Sequence, residues 1–178
     1  SALEIREKIP SEDQYRRLAD LCYNLATTYR SKGDVEKTIT YSNQAQSYYR
    51  LNNSLDYVNF SVCQNVLGNT LFQKYQYRAS IEYFSNAIDF IKNSTQYAKI
   101  YLPTYFTNLA AAYIELSEAD TALFYLNQAL HILLQSGDSG QMAHTYQQMG
   151  AAHSKNRSDS ALFYYDRSLN INRQVYGN

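Results

Sequence analysis

The chain contains few of the residues that interrupt helices or build covalent centres. Among its 178 residues there are 6 glycines, 2 prolines, 2 cysteines and no tryptophan. Because glycine and proline are the residues least compatible with a helix interior, their scarcity allows long helices. Cys22 and Cys63 lack the Cys-x-x-Cys spacing of zinc and thiol redox sites. We therefore expect both cysteines to be small buried apolar residues.

The chain also lacks an excess of either positive or negative charge. The chain has 16 Lys and Arg against 16 Asp and Glu, so its formal net charge is +0. Without a basic excess there is no field to attract a phosphate backbone or an anionic membrane, and we predict no nucleic-acid partner. No apolar run approaches the ~20 residues that cross a bilayer, so this segment should make no membrane contact. A cytoplasmic and a bacterial periplasmic location both remain open.

Patterns that carry catalytic chemistry are absent. His144 and His153 are nine residues apart on one predicted helix, which places them on opposite faces and prevents a shared metal ion. There is neither a glycine-rich phosphate loop nor a nucleophile elbow. The sequence therefore predicts a noncatalytic protein with no cofactor and no metal.

What the chain does contain is a repeat. A large apolar residue followed by a small one recurs at intervals of 42, 42 and 40 residues, at Leu25-Ala26, Leu67-Gly68, Leu109-Ala110 and Met149-Gly150. A second set of columns follows in register, with apolar residues at Ile39, Ile81, Leu123 and Leu162, tyrosines at Tyr41, Tyr83, Tyr125 and Tyr164, and small residues at Ala45, Ala87, Ala129 and Ser168. A fixed period of this size indicates stacked supersecondary units.

Each unit has the periodicity of two helices. Apolar residues in the first half recur at steps of three and four, as in Leu18, Leu21, Cys22 and Leu25. Apolar residues in the second half recur at the same steps. Short polar turns separate the halves, so the sequence predicts antiparallel helix pairs stacked into an all-α superhelix, or solenoid. In the first turn Gly33 suits a left-handed C-cap and Asp34 an N-cap. Pro10 should stop a helix, and Pro103 predicts a kink or a late helix start.

The same register defines the units. Four repeats are expected at 11–53, 54–94, 95–137 and 138–178. Ala2-Leu3 has the phase of Ala129-Leu130, so residues 1–10 should be the end of a preceding repeat. We expect the chain to be one array cut from a longer protein.

These residues resemble the tetratricopeptide repeats. The Leu-Ala-x-x-Tyr pattern of that family is present at Leu25 to Tyr29 and at Leu109 to Tyr113, whereas Leu71 and His153 replace the tyrosine in the other units. The period of 42 exceeds the usual one of about 34, which adds about one turn to each helix. The chain is thus similar to the long-helix variety found in kinesin light chains and several bacterial regulators. HEAT and armadillo units have comparable lengths but do not predict the paired small positions.

The small and aromatic columns have structural interpretations. Gly68 and its equivalents should lie where the two helices of a unit cross most closely. Ala45, Ala87 and Ala129 should be the corresponding small residues of the second helix. The tyrosine column recurs in every unit, which favours packing between units over ligand binding.

The resemblance implies that partners bind the concave surface lined by the first helices. We expect contacts from Tyr23, Asn24, Arg30, Asn65, Asn69, Phe72, Asn108, Gln147 and Gln148. The other inward positions include Val66, Thr107 and Ile114, of which Ile114 is a candidate apolar contact. Amides offer both donors and acceptors, which suits an extended peptide backbone.

The resemblance also indicates which kinds of ligand the inner surface should bind. A clamp for a C-terminal carboxylate is disfavoured because the relevant inward positions carry Asp20, Val62, Thr104 and His144 without lysine or arginine. We predict a scaffold that binds a protein or an extended peptide, as the sensing region of a larger bacterial signalling protein such as a histidine kinase or a transcriptional regulator. The alternative is a stand-alone adaptor in a multiprotein assembly. The oligomeric state stays open.

Overall fold

The computed structural model describes residues 11–51, 57–94, 96–155 and 159–177, and within these ranges the regular structure is entirely helical. We number the helices α1 to α8, and their bounds are Glu12–Ser31, Val35–Leu51, Tyr57–Gln73, Tyr77–Ile91, Ala98–Glu115, Ala119–Ser136, Ser139–Lys155 and Ser160–Tyr176. The predicted all-α solenoid is confirmed. The predicted preceding repeat and Pro10 lie outside the described residues.

The helices pack as four consecutive pairs. The most extensive contacts join α1 to α2, α3 to α4, α5 to α6 and α7 to α8, while each second helix also packs against the first helix of the next pair. Each pair corresponds to one period of the sequence repeat, and among the described residues each unit contacts only its neighbours. The fold is therefore a one-dimensional stack, in which a small rotation at each junction accumulates along the array.

The turn inside the unit is built identically in the first three units. Gly33, Tyr75 and Ser117 are spaced by the repeat period, and their φ angles are +74°, +61° and +62°. The residue after each of them donates its N–H to a carbonyl five residues earlier, from Asp34 to Tyr29, for example, at 3.0 Å. This bond closes the helix end in the manner of a Schellman motif. The left-handed Gly33 is confirmed, and Tyr75 and Ser117 adopt the same conformation without being glycine.

Side chains cap the first turns of α1 and α2. The Asp34 carboxylate accepts the N–H of Lys37 at 3.1 Å, which confirms Asp34 as an N-cap. At the start of α1, the Ser11 hydroxyl accepts the N–H of Gln14 and the Gln14 side chain accepts the N–H of Ser11. Pro103 lies inside α5, which begins at Ala98, so the late start considered for that helix is wrong.

In each unit a small residue of the first helix lies beside a side chain of the second helix. These small residues are Ala26, Gly68, Ala110 and Gly150. A β-carbon on Gly68 would lie 2.6 Å from ring atoms of Phe84, and one on Gly150 would lie 2.7 Å from the ring of Tyr165. In the other two units, alanine replaces the glycine and the residues in the Phe84 column are Ser42 and Leu126. Gly68 and Gly150 thus lie tightly against the second helix of their own unit, and the atoms nearest to a β-carbon on Gly68 belong to Phe84.

The tyrosine column packs both within and between units. Tyr41 stacks on Tyr29 with ring centroids 5.4 Å apart, and Tyr125 stacks on Tyr113 at 5.8 Å. In the fourth unit the ring of His153 takes the place of the first tyrosine and stacks on Tyr164 at 5.0 Å. These stacked rings join the first helix of a unit to its second helix, while Tyr41 and Tyr125 also pack against core clusters that span two units. The structural role is confirmed, and the packing extends between units as expected.

Candidate functional site

The first helices line one side of the array. Each of α1, α3 and α5 contacts the next first helix, whereas the second helices do not touch one another within the described residues. Elements that meet lie on the inside of a curve, and elements that diverge lie on the outside. We call the surface of the four first helices the inner face and that of the second helices the outer face.

Three of the predicted asparagines form a connected cluster at the middle of the inner face. The Asn108 amide nitrogen on α5 donates to the Asn65 side-chain oxygen on α3 at 2.9 Å. The Asn69 amide nitrogen donates to the Asn65 backbone carbonyl at 3.0 Å. All three are half-buried. We call them the asparagine cluster.

The asparagine cluster retains hydrogen-bonding capacity. The Asn65 amide nitrogen and the side-chain oxygens of Asn69 and Asn108 have no hydrogen-bond partner among the described residues. The cluster therefore presents a donor and two acceptors on the inner face, which is the complement that an extended backbone needs when it leaves water.

The predicted residues on α1 have different environments. Tyr23 is half-buried against a core cluster that includes Cys22 and Cys63, and burial raises the pKa of its hydroxyl. Asn24 exposes its side chain, while its backbone carbonyl accepts the hydroxyls of Thr27 and Thr28 at 2.9 and 2.8 Å. These residues extend the inner face beyond the asparagine cluster, and among the described residues no hydrogen bond joins them to it.

Arg30 is the cation among the predicted contacts. Its side chain is half-buried, and its buried Nε has no hydrogen-bond partner among the described residues. A buried donor of this kind costs free energy unless something accepts its hydrogen. The Arg30 guanidinium is thus partly enclosed by the protein, with its Nε shielded from solvent.

The remaining predicted residues divide between packing and exposure. Phe72 packs edge-on against Tyr77 at 5.3 Å and contributes to the core beside Phe84, so only part of its ring is accessible. Gln147 is exposed on α7, and the Gln148 amide nitrogen lies 3.5 Å from Nε2 of His144. Both glutamines lie on α7, the first helix that follows α5 on the inner face.

Several inward positions are covered by the stacking of the first helices. Val66, Thr107 and Ile114 are 4%, 4% and 3% exposed, so they are core residues and Ile114 is not an apolar contact for a ligand. The Thr107 hydroxyl lies 3.5 Å from that of Thr145, between α5 and α7. Helical phase alone assigns these residues to the inner side, but the neighbouring helix buries them.

Polar contacts that the sequence did not indicate connect other helices. The Gln64 amide nitrogen on α3 donates to the Gln46 side-chain oxygen on α2 at 3.0 Å, and both residues are buried. The Thr104 hydroxyl on α5 donates to the Gln141 side-chain oxygen on α7 at 3.0 Å. The sequence contains a signal for the first pair, because glutamine replaces an apolar residue in an otherwise apolar column. Gln46 occupies the position that Ile88 and Leu130 have in later units.

The described residues hold no group of three or more His, Cys, Asp or Glu side chains placed to bind a metal ion. Cys22 and Cys63 are free and buried, as expected, with exposures of 8% and 1%. Burial raises the pKa of the Cys63 thiol to about 12, which keeps it protonated and unreactive near neutral pH. Among the described residues no helix is both long enough and apolar enough to cross a bilayer.

The paired helices, their Schellman turns and their nearest-neighbour stacking define an α-solenoid of helix-turn-helix repeats. Residues 19–51 match the sequence profile of the tetratricopeptide repeat family. The recognition of tetratricopeptide repeats is thereby confirmed, and folds of this type are scaffolds typical of protein–protein interaction. A search of curated protein sequences finds no match.

Solved structures share the fold. The apo form of RapI is 20% identical, with a TM-score of 0.83 over 98% of this chain and 61% of that one. BtubC (BKLC) from P. vanneervenii is 18% identical, with a TM-score of 0.81 over 96% of this chain and 68% of that one. A putative kinesin light chain from Podospora anserina is 14% identical, with a TM-score of 0.71 over 97% and 82%. The chain thus spans about three fifths of the length of RapI.

Proposed function

We propose that this array binds an extended segment of a partner protein along its inner face, centred on the asparagine cluster. The observation that carries the proposal is the Asn108–Asn65 hydrogen bond, because it fixes two amides from different units side by side. The groups left over, one donor and two acceptors, can pair with successive peptide groups of a ligand. Their fixed positions reduce the side-chain entropy that binding must remove.

Arg30 and Tyr23 extend this surface toward the first unit, and Gln147 and Gln148 extend it toward the fourth. The positive charge of Arg30 favours a ligand with an oxygen acceptor near that end. A single short peptide in an open groove is expected to bind with micromolar affinity, or about 8 kcal/mol.

The test is selection of peptides from a random library on the unaltered protein, followed by titration of selected peptides against two variants. One variant combines Asn65→Ala with Asn69→Ala. The matched control combines Asn43→Ala with Asn127→Ala, which makes the same change at exposed positions of α2 and α6. We expect the inner-face variant to lose roughly tenfold or more in affinity and the control to bind normally. Equal binding by both variants contradicts the assignment.

We further propose that the array is the sensing region of a larger bacterial signalling protein, either a histidine kinase or a transcriptional regulator. Nearest-neighbour stacking supports this, because a ligand that bridges α3 and α5 can change the rotation between units and so alter the pitch of the array. A stand-alone adaptor is the alternative.

The full-length gene distinguishes the two. A kinase or helix-turn-helix domain encoded beside the array supports the sensor, and a gene that encodes only the array supports the adaptor. Small-angle scattering with and without a selected peptide provides a physical test, since a sensor should change its radius of gyration on binding and a rigid adaptor should not.

A further inference from the structure

The outer face carries a groove beside the fourth unit that the inner-face proposal does not use. Because the second helices diverge, α6 and α8 leave the beginning of α7 uncovered between them. The resulting groove has a volume of about 620 Å³. Its apolar residues are Leu134, Met142, Tyr146 and Ile171, and its cations are Arg167 and Arg173.

The two arginines are exposed and have no ion-pair partner among the described residues. The Arg167 guanidinium lies over the Phe163 ring, 5.2 Å from its centroid, which holds the charge in place without neutralising it. Arg173 lies in the last turn of α8, where the helix dipole favours a cation. Arg167 lies in the middle of the helix, so the dipole does not account for it.

Comparison with the other units shows that Arg167 is peculiar to the fourth unit, whereas the position of Arg173 also carries a cation in the first two units, as Arg50 and Lys92. Arg167 is aligned with Gln128 in the third unit, and Arg173 with Leu134. The stack forms in that unit without either charge, so helix packing does not require them.

The floor of the groove differs from its equivalent between the first and second units, whereas the junction between the second and third units has the aliphatic residues Leu102 and Ile132 at the positions of Met142 and Ile171. The positions of Met142 and Ile171 are occupied earlier in the array by Phe60 and Phe90, whose ring centroids are 4.3 Å apart, and Arg50 lies over the Phe60 ring at 5.1 Å. In that junction the chain fills the space with its own side chains. Beside the fourth unit the smaller aliphatic side chains leave the space open.

We propose that this groove binds an acidic amphipathic segment of a protein partner. Carboxylates of the segment pair with Arg167 and Arg173, and an apolar side chain packs on Met142, Tyr146 and Ile171. Arginine suits this role because its guanidinium can bind a carboxylate through two parallel hydrogen bonds. The occupant is acidic because the lining of the groove contains two cations and no carboxylate.

The test titrates the protein with a fluorescein-labelled octapeptide of alternating glutamate and leucine, and with the same peptide carrying glutamine for glutamate. We expect the glutamate peptide to bind roughly tenfold more tightly, and its affinity to fall as salt screens the charges. Arg167→Gln combined with Arg173→Gln should abolish that preference. The control, Arg78→Gln combined with Lys92→Gln, removes two exposed charges from α4 and its C-cap and should leave it intact.

Three results overturn the proposal: no binding of the glutamate peptide, equal binding of both peptides, or an unchanged preference in the double arginine variant. Binding of the protein to anionic lipid vesicles in place of the peptide also overturns it. Circular dichroism establishes that each variant is folded, and Arg167→Gln alone, assessed in the same titration, replaces the double variant if that one is unstable. The inner-face asparagine variant should retain the preference, so this test and that of the proposed function succeed or fail separately.

Discussion

The α-carbon of Gly68 lies so close to the ring of Phe84 that a β-carbon would meet two ring atoms at 2.6 Å. Contacts of this length do not occur between relaxed atoms, so the ring determines the residue at this position. The second and fourth units share this arrangement, with Gly150 against Tyr165. The third unit instead has Ala110 and Leu126, both fully buried in one core cluster. Small and large residues therefore compensate within the second, third and fourth units.

Gly68→Ala should destabilise the protein by about 1 to 2 kcal/mol, since overpacking exceeds the ~1 kcal/mol gained in helix propensity. Adding Phe84→Leu recreates the alanine–leucine pair of the third unit and should recover part of the loss. Urea denaturation of both single variants and the double variant measures the coupling, which we expect to be about 1 kcal/mol in favour of the double variant. Strictly additive effects contradict the steric account.

Tyr75→Gly should stabilise the protein by about 0.5 to 1 kcal/mol. The φ angle of Tyr75 is +61°, a conformation that costs an L-residue about 1 to 2 kcal/mol and costs glycine little, while the gain is reduced by the greater freedom of glycine when unfolded. The side chain is 80% exposed, so little packing is lost. Thermal melts measure the change, and Gly33→Ala in the equivalent turn should lower the melting temperature. A lower melting temperature for Tyr75→Gly refutes the prediction.

Stability should fall at alkaline pH because of a buried thiol. Burial raises the pKa of Cys63 to about 12, so above its ordinary pKa of about 8.5 the unfolded chain releases a proton that the folded chain keeps. Between these two values the free energy of unfolding should decrease by up to roughly 1.4 kcal/mol per pH unit from this group. Burial also raises the pKa of Tyr105, which adds to the decrease.

Urea midpoints at pH 7.5 and pH 10 measure this effect. Cys63→Ala removes the thiol, and its stability should decline less steeply than that of the unaltered protein. Cys22→Ala is the control, because Cys22 is less deeply buried than Cys63 and burial raises its pKa less. The prediction is wrong if Cys63→Ala and the unaltered protein lose stability equally between the two pH values.

The repeat columns of the sequence predicted the helix pairs because most units bury the same apolar position, although Leu25 in the first unit is 40% exposed. Leu67, Leu109 and Met149 are each about 1% exposed, as residues at such a position should be. The left-handed turn was predictable at Gly33, where the residue itself indicates it. At Tyr75 and Ser117 the residue type gives no such signal, since only the register of the array imposes the conformation.

The candidate site was predictable only as a face of the helices. Helical phase placed Asn65, Val66 and Ile114 together on the inner side, but burial separates them. How far each first helix covers the next depends on the rotation between units, which is a property of the stacked structure and not of one helix. The hydrogen bond between Asn108 and Asn65 has the same origin, and so does the groove at Arg167.

The most direct measurement maps a selected peptide onto the protein by NMR, using backbone and side-chain amide shifts. We predict the largest shift changes at the side-chain amides of Asn65, Asn69 and Asn108, with further changes along the inner sides of α1 and α7. The amides of Asn43 and Asn127 on the outer face should remain unperturbed. Shift changes confined to the second helices, with the asparagine cluster unaffected, would contradict the claim that the inner face binds the partner.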